Sequence, residues 1–177
     1  MDRKEFLNEL LDAALLAPTS FNLQHFRFID VQDEDKKLTL LNSASNWDRA
    51  LVPELVLVVC GDTQVWQAAA TFAQHVNREF EEASLAKSTI VYEKSPQTQR
   101  DEVNRSCGFA LTNMTITANL LGKGCQILKG VCNEAVAELL NIPASHTVAA
   151  VVTFDTAFFK PLHKCHAGTH VVSENGF

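Results

Sequence analysis

A chain of 177 residues, 46% of them hydrophobic, is long enough to bury a substantial core without disulfide or metal staples. Its formal charge of −6 offers no basic face to nucleic acid, and no apolar run reaches the roughly 20 residues that a bilayer span requires. The five cysteines, Cys60, Cys107, Cys125, Cys132 and Cys165, are odd in number and form no CxxC pair, and the opening MDRKEFLNELL lacks the apolar core of a secretory signal, so a cytoplasmic protein is expected.

Residues 3–17 read as an amphipathic helix, with Phe6, Leu7, Leu10, Leu11, Ala14 and Leu15 at helical spacing before Pro18 stops it. Thr19, Ser20 and Asn22 supply turn chemistry. Residues 26–31 alternate as a strand does, and residues 33–43 form a short helix with Leu38, Leu40 and Leu41 expected to face inward. The valine-rich run LVLVVC at 55–60 reads as a central strand covered on both faces. Asp62 is placed to cap a helix from residue 63 to about 84, with Trp66, Phe72 and Phe80 sharing it with His75 and Arg78. Residues 87–100, which include Tyr92, show no clear period and are expected to form a loop.

The stretch from Asn104 to Gly130 organises the rest. No charged residue lies between Arg105 and Lys123, so a helix beginning at Asp101 and weakly polar on every side over residues 106–121 belongs in the middle of the domain. Gly122, Gly124 and Gly130 then end it and lead into a backbone-rich loop that can approach a flat ligand closely. Residues 126–128 are expected to pair as a short strand, 133–140 to form a helix ended by Asn141 and Pro143, and 148–154 to form a second covered strand. The tail from Asp155 mixes Lys160, His163, Lys164 and His166 with an apolar end at Val171 and Val172, as expected of an arm that packs on a partner subunit.

Hydrolytic machinery has no GxSxG elbow to sit on, and phosphate binding has neither a Walker loop nor GxGxxG. His163, Cys165 and His166 are a weak metal set with Lys164 among them, and they read better as a solvated basic tail, so no metal is expected. Phosphates can instead be held by scattered basic side chains, which Lys160, Lys164 and His166 would supply.

Several of these stretches together resemble the FMN-dependent nitroreductase family. APTSFNLQHFRF at 17–28 matches its AP(S/T)SxNxQ(P)(W/F)xF segment at Pro18, Ser20, Asn22, Gln24 and Phe28, departing at His25, where proline is usual, and at Phe26. Asn46 and Arg49 ahead of LVLVVC match its asparagine and basic residue, and the long helix followed by ILKGVCNEAVAELLNIP resembles its dimer helix, glycine turn and short helix. Members also carry an RxSxR-like segment ahead of the first matched helix that grips the FMN phosphate. This sequence starts at Met1 inside that helix, from which weaker flavin binding is expected unless other groups compensate.

The resemblance implies one α+β domain over residues 1–177: a mostly antiparallel sheet flanked by helices around a long buried helix, with the arm of residues 155–177 exchanged in a homodimer. It implies that Pro18, Thr19, Ser20 and Asn22 contact FMN from one subunit while Leu128, Lys129 and Gly130 face the ring from the other, the Lys129 backbone N–H at the hydride-bearing nitrogen N5. Asn46 and Arg49 would touch the ring's polar edge, Lys160, Lys164 and His166 the phosphate, and Phe21 and Tyr92 a substrate above the ring. The implied activity is ping-pong transfer of hydride from NAD(P)H to a nitroaromatic, quinone or flavin. The alternative is a dimer of the same fold that has lost tight FMN binding and serves a binding or regulatory role.

Overall fold

The computed structural model describes residues 1–68, 87, 90–93 and 95–156. Helix α1 spans Arg3–Leu15 and opens on a capping box, in which Asp2 accepts the Glu5 N–H while the Glu5 carboxylate takes the Asp2 N–H. It buries Phe6, Leu10 and Ala14. Strand β1 (Phe26–Asp30) follows, then α2 (Glu34–Ser43), whose first turn is capped by Asp33. In α2 it is Leu40 and Leu41 that face inward. Leu38 is 53% exposed, contrary to the sequence expectation, because it lies about 110° round the helix from the midpoint of the face formed by Leu40 and Leu41.

Strands β2 (Leu55–Asp62), β3 (Gly124–Ile127) and β4 (His146–Asp155) complete a four-stranded sheet in the order β1-β2-β4-β3, antiparallel at every pairing. The valine-rich run is central as expected, with Leu55 through Val59 fully buried. Both faces of the sheet are covered. On one, Leu55, Leu57, Val59, Val152 and Phe154 pack against α1 and the long helix α3 (Pro96–Leu120). On the other, Val56, Val58, Val148 and Val151 meet α2 and α4 (Asn133–Leu140), which ends in a left-handed Asn141. Gly61 lets α3 lie this close, since a Cβ there would overlap Val103.

Helix α3 starts at Pro96, not Asp101. Ser95 caps it by accepting the Thr98 N–H and proline occupies the first turn, so part of the expected 87–100 loop is helical. Nor is α3 covered all round. Val103, Cys107, Ala110, Met114 and Ala118 are buried, while Phe109, Ile116 and Leu120 on the far side are 43%, 54% and 83% exposed. Of the helix expected from residue 63 to 84, the described part is a 3-10 turn at Val65–Ala68, entered through the Asp62 carboxylate, which accepts the Gln64 N–H. The remainder of that helix and the arm beyond residue 156, with Lys160, Lys164, Cys165 and His166, lie outside the described residues.

Candidate functional site

The expected site residues gather into two groups. The first is the connection from α1 to β1. Pro18 cannot continue the helix, and the chain turns through Ser20–Asn22 with Phe21, Asn22 and Gln24 at φ of 54°, 55° and 48°. Left-handed backbone at three non-glycine residues is costly, of order 1–3 kcal/mol each for residues without asparagine's tolerance. Such a loop persists only if its surroundings hold it.

Those surroundings are polar side chains. The Gln24 N–H donates to Thr19 Oγ1 at 3.0 Å, and Ser20 Oγ donates to Glu102 Oε2 on α3 at 2.5 Å. Glu102 in turn pairs with Arg105. One turn along, Ser106 Oγ lies 3.1 Å from Nδ1 of His25, which is 2% exposed. Tyr92 sets its ring edge-on to both Phe21 and His25. Pro18, Thr19 and Ser20 on one side and Glu102, Arg105, Ser106 and Phe109 on the other line a cleft of about 290 Å³.

The electrostatics follow from burial and partners. Burial pushes the Glu102 carboxyl up, but the Ser20 and Arg105 hydrogen bonds outweigh it and hold the group below the usual carboxylate range, so it is ionised. Desolvation lowers His25, only partly offset by the charges of Glu102 and Asp62, so the ring is neutral near pH 7; the Arg27 charge lowers it further. Burial raises the Tyr92 phenol. Tyr92 is 1% exposed, which corrects its expected place above a ring: it props the loop from beneath.

The second group joins the segment after α2 to the loop after β3. Asn46 Nδ2 donates to the Ile127 carbonyl at 2.9 Å, and the Lys129 N–H donates to Asn46 Oδ1 at 2.8 Å. Gln126 Nε2 returns a bond to the Asn46 carbonyl, and the Ser45 N–H and hydroxyl both donate to the Lys129 carbonyl. Gly130 turns the loop at φ 77°, where a Cβ would sit 3.0 Å from Ser45 Oγ. The Asn46 carboxamide bonds the loop at both ends, its Oδ1 taking the Lys129 N–H that the resemblance sets at N5. Leu128 is buried with its N–H on the Val151 carbonyl, and Arg49 is exposed.

Glu102, His25, Ser106 and Ser45 were not among the expected site residues. Glu102 and Ser106 share a helix face by their spacing of four, but nothing local ties them to Ser20 and His25, more than eighty residues earlier. Nucleophilic thiol chemistry finds no support at Cys60 or Cys107, which burial pushes up to about 11 and about 12. Among the described residues no helix is long and apolar enough to cross a membrane, and no cluster of three or more His, Cys, Asp or Glu side chains is placed to hold a metal.

Comparison with known proteins agrees with the fold and spacing. The family model described as the Nitroreductase family matches residues 3–154. Protein DrgA of Synechocystis is 30% identical over 145 residues, covering 81% of this chain and 69% of DrgA. MhqN of Bacillus subtilis, named as a candidate NAD(P)H nitroreductase, is 30% identical over 157 residues, covering 85% of this chain and 76% of MhqN. Among solved structures, a candidate nitroreductase of B. subtilis, YdfN, superposes with a TM-score of 0.85 at 28% identity, covering 97% of this chain and 87% of that one. A candidate nitroreductase of Exiguobacterium sibiricum, crystallised with FMN, shares the fold with a TM-score of 0.76 at 20% identity, over 87% of this chain and 77% of that one.

Proposed function

The chain belongs to the nitroreductase family, and from that premise we propose that it is an FMN-dependent, NAD(P)H-using oxidoreductase whose flavin lies between two copies of the chain. The observation that carries this reading is the pair of groups just described, both strained or clasped into place and both next to the exposed stripe of α3. The Ser20 group rests on the face of α3 that bears Glu102, Ser106 and Phe109, whereas Ile127 of the second group lines a cleft with Gly108, Leu111, Thr115 and Asn119. The two groups line separate clefts. Between the two faces runs the uncharged exposed stripe of Gly108, Thr112, Ile116 and Leu120. A second α3 laid antiparallel on that stripe covers it and brings the Ser20 group of one copy to the 127–130 loop of the other.

The residues present fit a flavin. Thr19 and Ser20 place hydroxyls in an open cleft, and the Gly130 turn exposes bare backbone where a side chain would collide with Ser45. Pro18, Thr19, Ser20 and Asn22 would hold it from one copy, with Leu128, Lys129, Gly130, Asn46 and Arg49 as the platform and rim of the other; Lys160, Lys164 and His166 remain candidates for the phosphate, and Phe21 for the acceptor. When bound, the flavin supplies the redox chemistry, taking hydride from NAD(P)H and passing electrons to a nitroaromatic, quinone or flavin acceptor in ping-pong order. The chain's own part is to position the cofactor: the Asn46 clasp fixes the loop, and Ser20 with its partners fixes the strained turn opposite. A cytoplasmic location and a single domain with a partner-embracing arm complete the reading.

Purification tests it. The expected result is a yellow dimer with an absorbance band near ~450 nm that turns over NAD(P)H with a quinone or nitro compound. A colourless protein that ignores added FMN overturns the activity and favours a binding or regulatory dimer, and a stable monomer in solution overturns the shared site.

A further inference from the structure

The proton count around Ser20 is fixed by its neighbours. Ser20 has one hydroxyl proton, and it is given to the Glu102 carboxylate, which can only accept. The Ser20 lone pairs remain, and the residue lines the cleft. Thr19 beside it keeps its donor: its oxygen accepts the Gln24 N–H, and its proton has no other partner among the described residues.

We propose that Glu102 is a positioning residue that makes Ser20 an obligatory acceptor toward the ligand of this cleft, so that Ser20 receives a neutral O–H or N–H donor and an anionic oxygen is turned away. This rests on the flavin reading for the ligand's identity, and within that reading it assigns Ser20 to a donor-bearing part of the cofactor and not to its phosphate. Two features make Glu102 the determinant. Its Oε1 is held by Arg105, which only donates, leaving Oε2 as the oxygen that faces Ser20. And Ser20 sits in a turn whose left-handed residues limit its freedom to reorient.

Glu102→Gln inverts the arrangement with almost no change in volume. The amide oxygen stays on Arg105, the amide N–H takes the place of Oε2 and donates to Ser20, and the Ser20 proton is freed to point into the cleft. FMN titrations are compared for wild type, Glu102→Gln, Ser20→Ala and the double variant, with melting curves to confirm folding. The expected result is about a tenfold loss of FMN affinity in Glu102→Gln, the scale of one inverted hydrogen bond, that disappears in the Ser20→Ala background. Wild-type affinity in Glu102→Gln, or a loss that persists undiminished without the Ser20 hydroxyl, overturns the proposal.

A second reading is independent of flavin. Tyr92 is the sole tyrosine of the chain, so ultraviolet absorbance follows its titration alone. In ligand-free Glu102→Gln the phenol should ionise at lower pH than in wild type, because the carboxylate charge is gone and the freed Ser20 proton can turn to the phenolate. In the Ser20→Ala background only the charge effect remains, so the shift shrinks; equal shifts in both backgrounds overturn the proposal. If wild type binds no FMN at all, the functional reading fails, and this titration still decides whether Glu102 controls Ser20.

Discussion

The Ser20 turn and the Asn46 clasp both stand beside the exposed stripe of α3, yet they are held by different means. The Ser20 turn carries three left-handed residues and is kept in place by side chains, one of them an ionised carboxylate and another a buried neutral histidine. The Asn46 clasp is built from amides, carbonyls and one serine hydroxyl, with glycine at its only left-handed position. One half therefore stores strain and responds to pH, whereas the other is relaxed and indifferent to it.

The largest effect should come from the relaxed half. Gly130→Val puts a β-branched side chain at φ 77° and into Ser45, and should cost about 1–3 kcal/mol in urea unfolding and open the clasp. Unchanged stability would mean that the loop is not held as described.

The pH contrast is sharpened at His25. Its folded-state pKa lies below the ordinary 6.5, so beneath that pH the unfolded chain takes up a proton that the folded chain refuses. Stability is full above about pH 6.5 and falls as the pH drops toward the depressed value. The wild-type melting temperature should therefore fall between pH 7.5 and 5.5, and His25→Gln should flatten that fall. Parallel curves for the two proteins would remove His25 as its cause.

The smallest effect should come from relieving strain. Gln24→Gly gives the φ 48° position a residue that adopts it freely and gives up only a 3.4 Å side-chain bond to Asn22, so a gain of roughly 0.5–1 kcal/mol is expected. A loss would show that Gln24 contributes more through its side chain than its backbone costs.

Elements whose signals are local were legible in the residues alone. Valines at 55–60 require a covered strand, the stop at Pro18 and the spacing from Phe6 to Leu15 require the first helix, and Asn133–Leu140 was legible to the residue because a left-handed Asn141 ends it. The AP(S/T)SxNxQ match likewise pointed to the turn at Ser20. Only the tertiary structure decided what each side chain does there: that Tyr92 is a buried prop, that Asn46 ties down the Lys129 N–H, and that Glu102 takes the Ser20 proton. Helical and strand periodicity are written in neighbours a few residues apart, whereas these bonds join residues about eighty apart, and a hydrogen bond's direction depends on every partner that competes for the same proton.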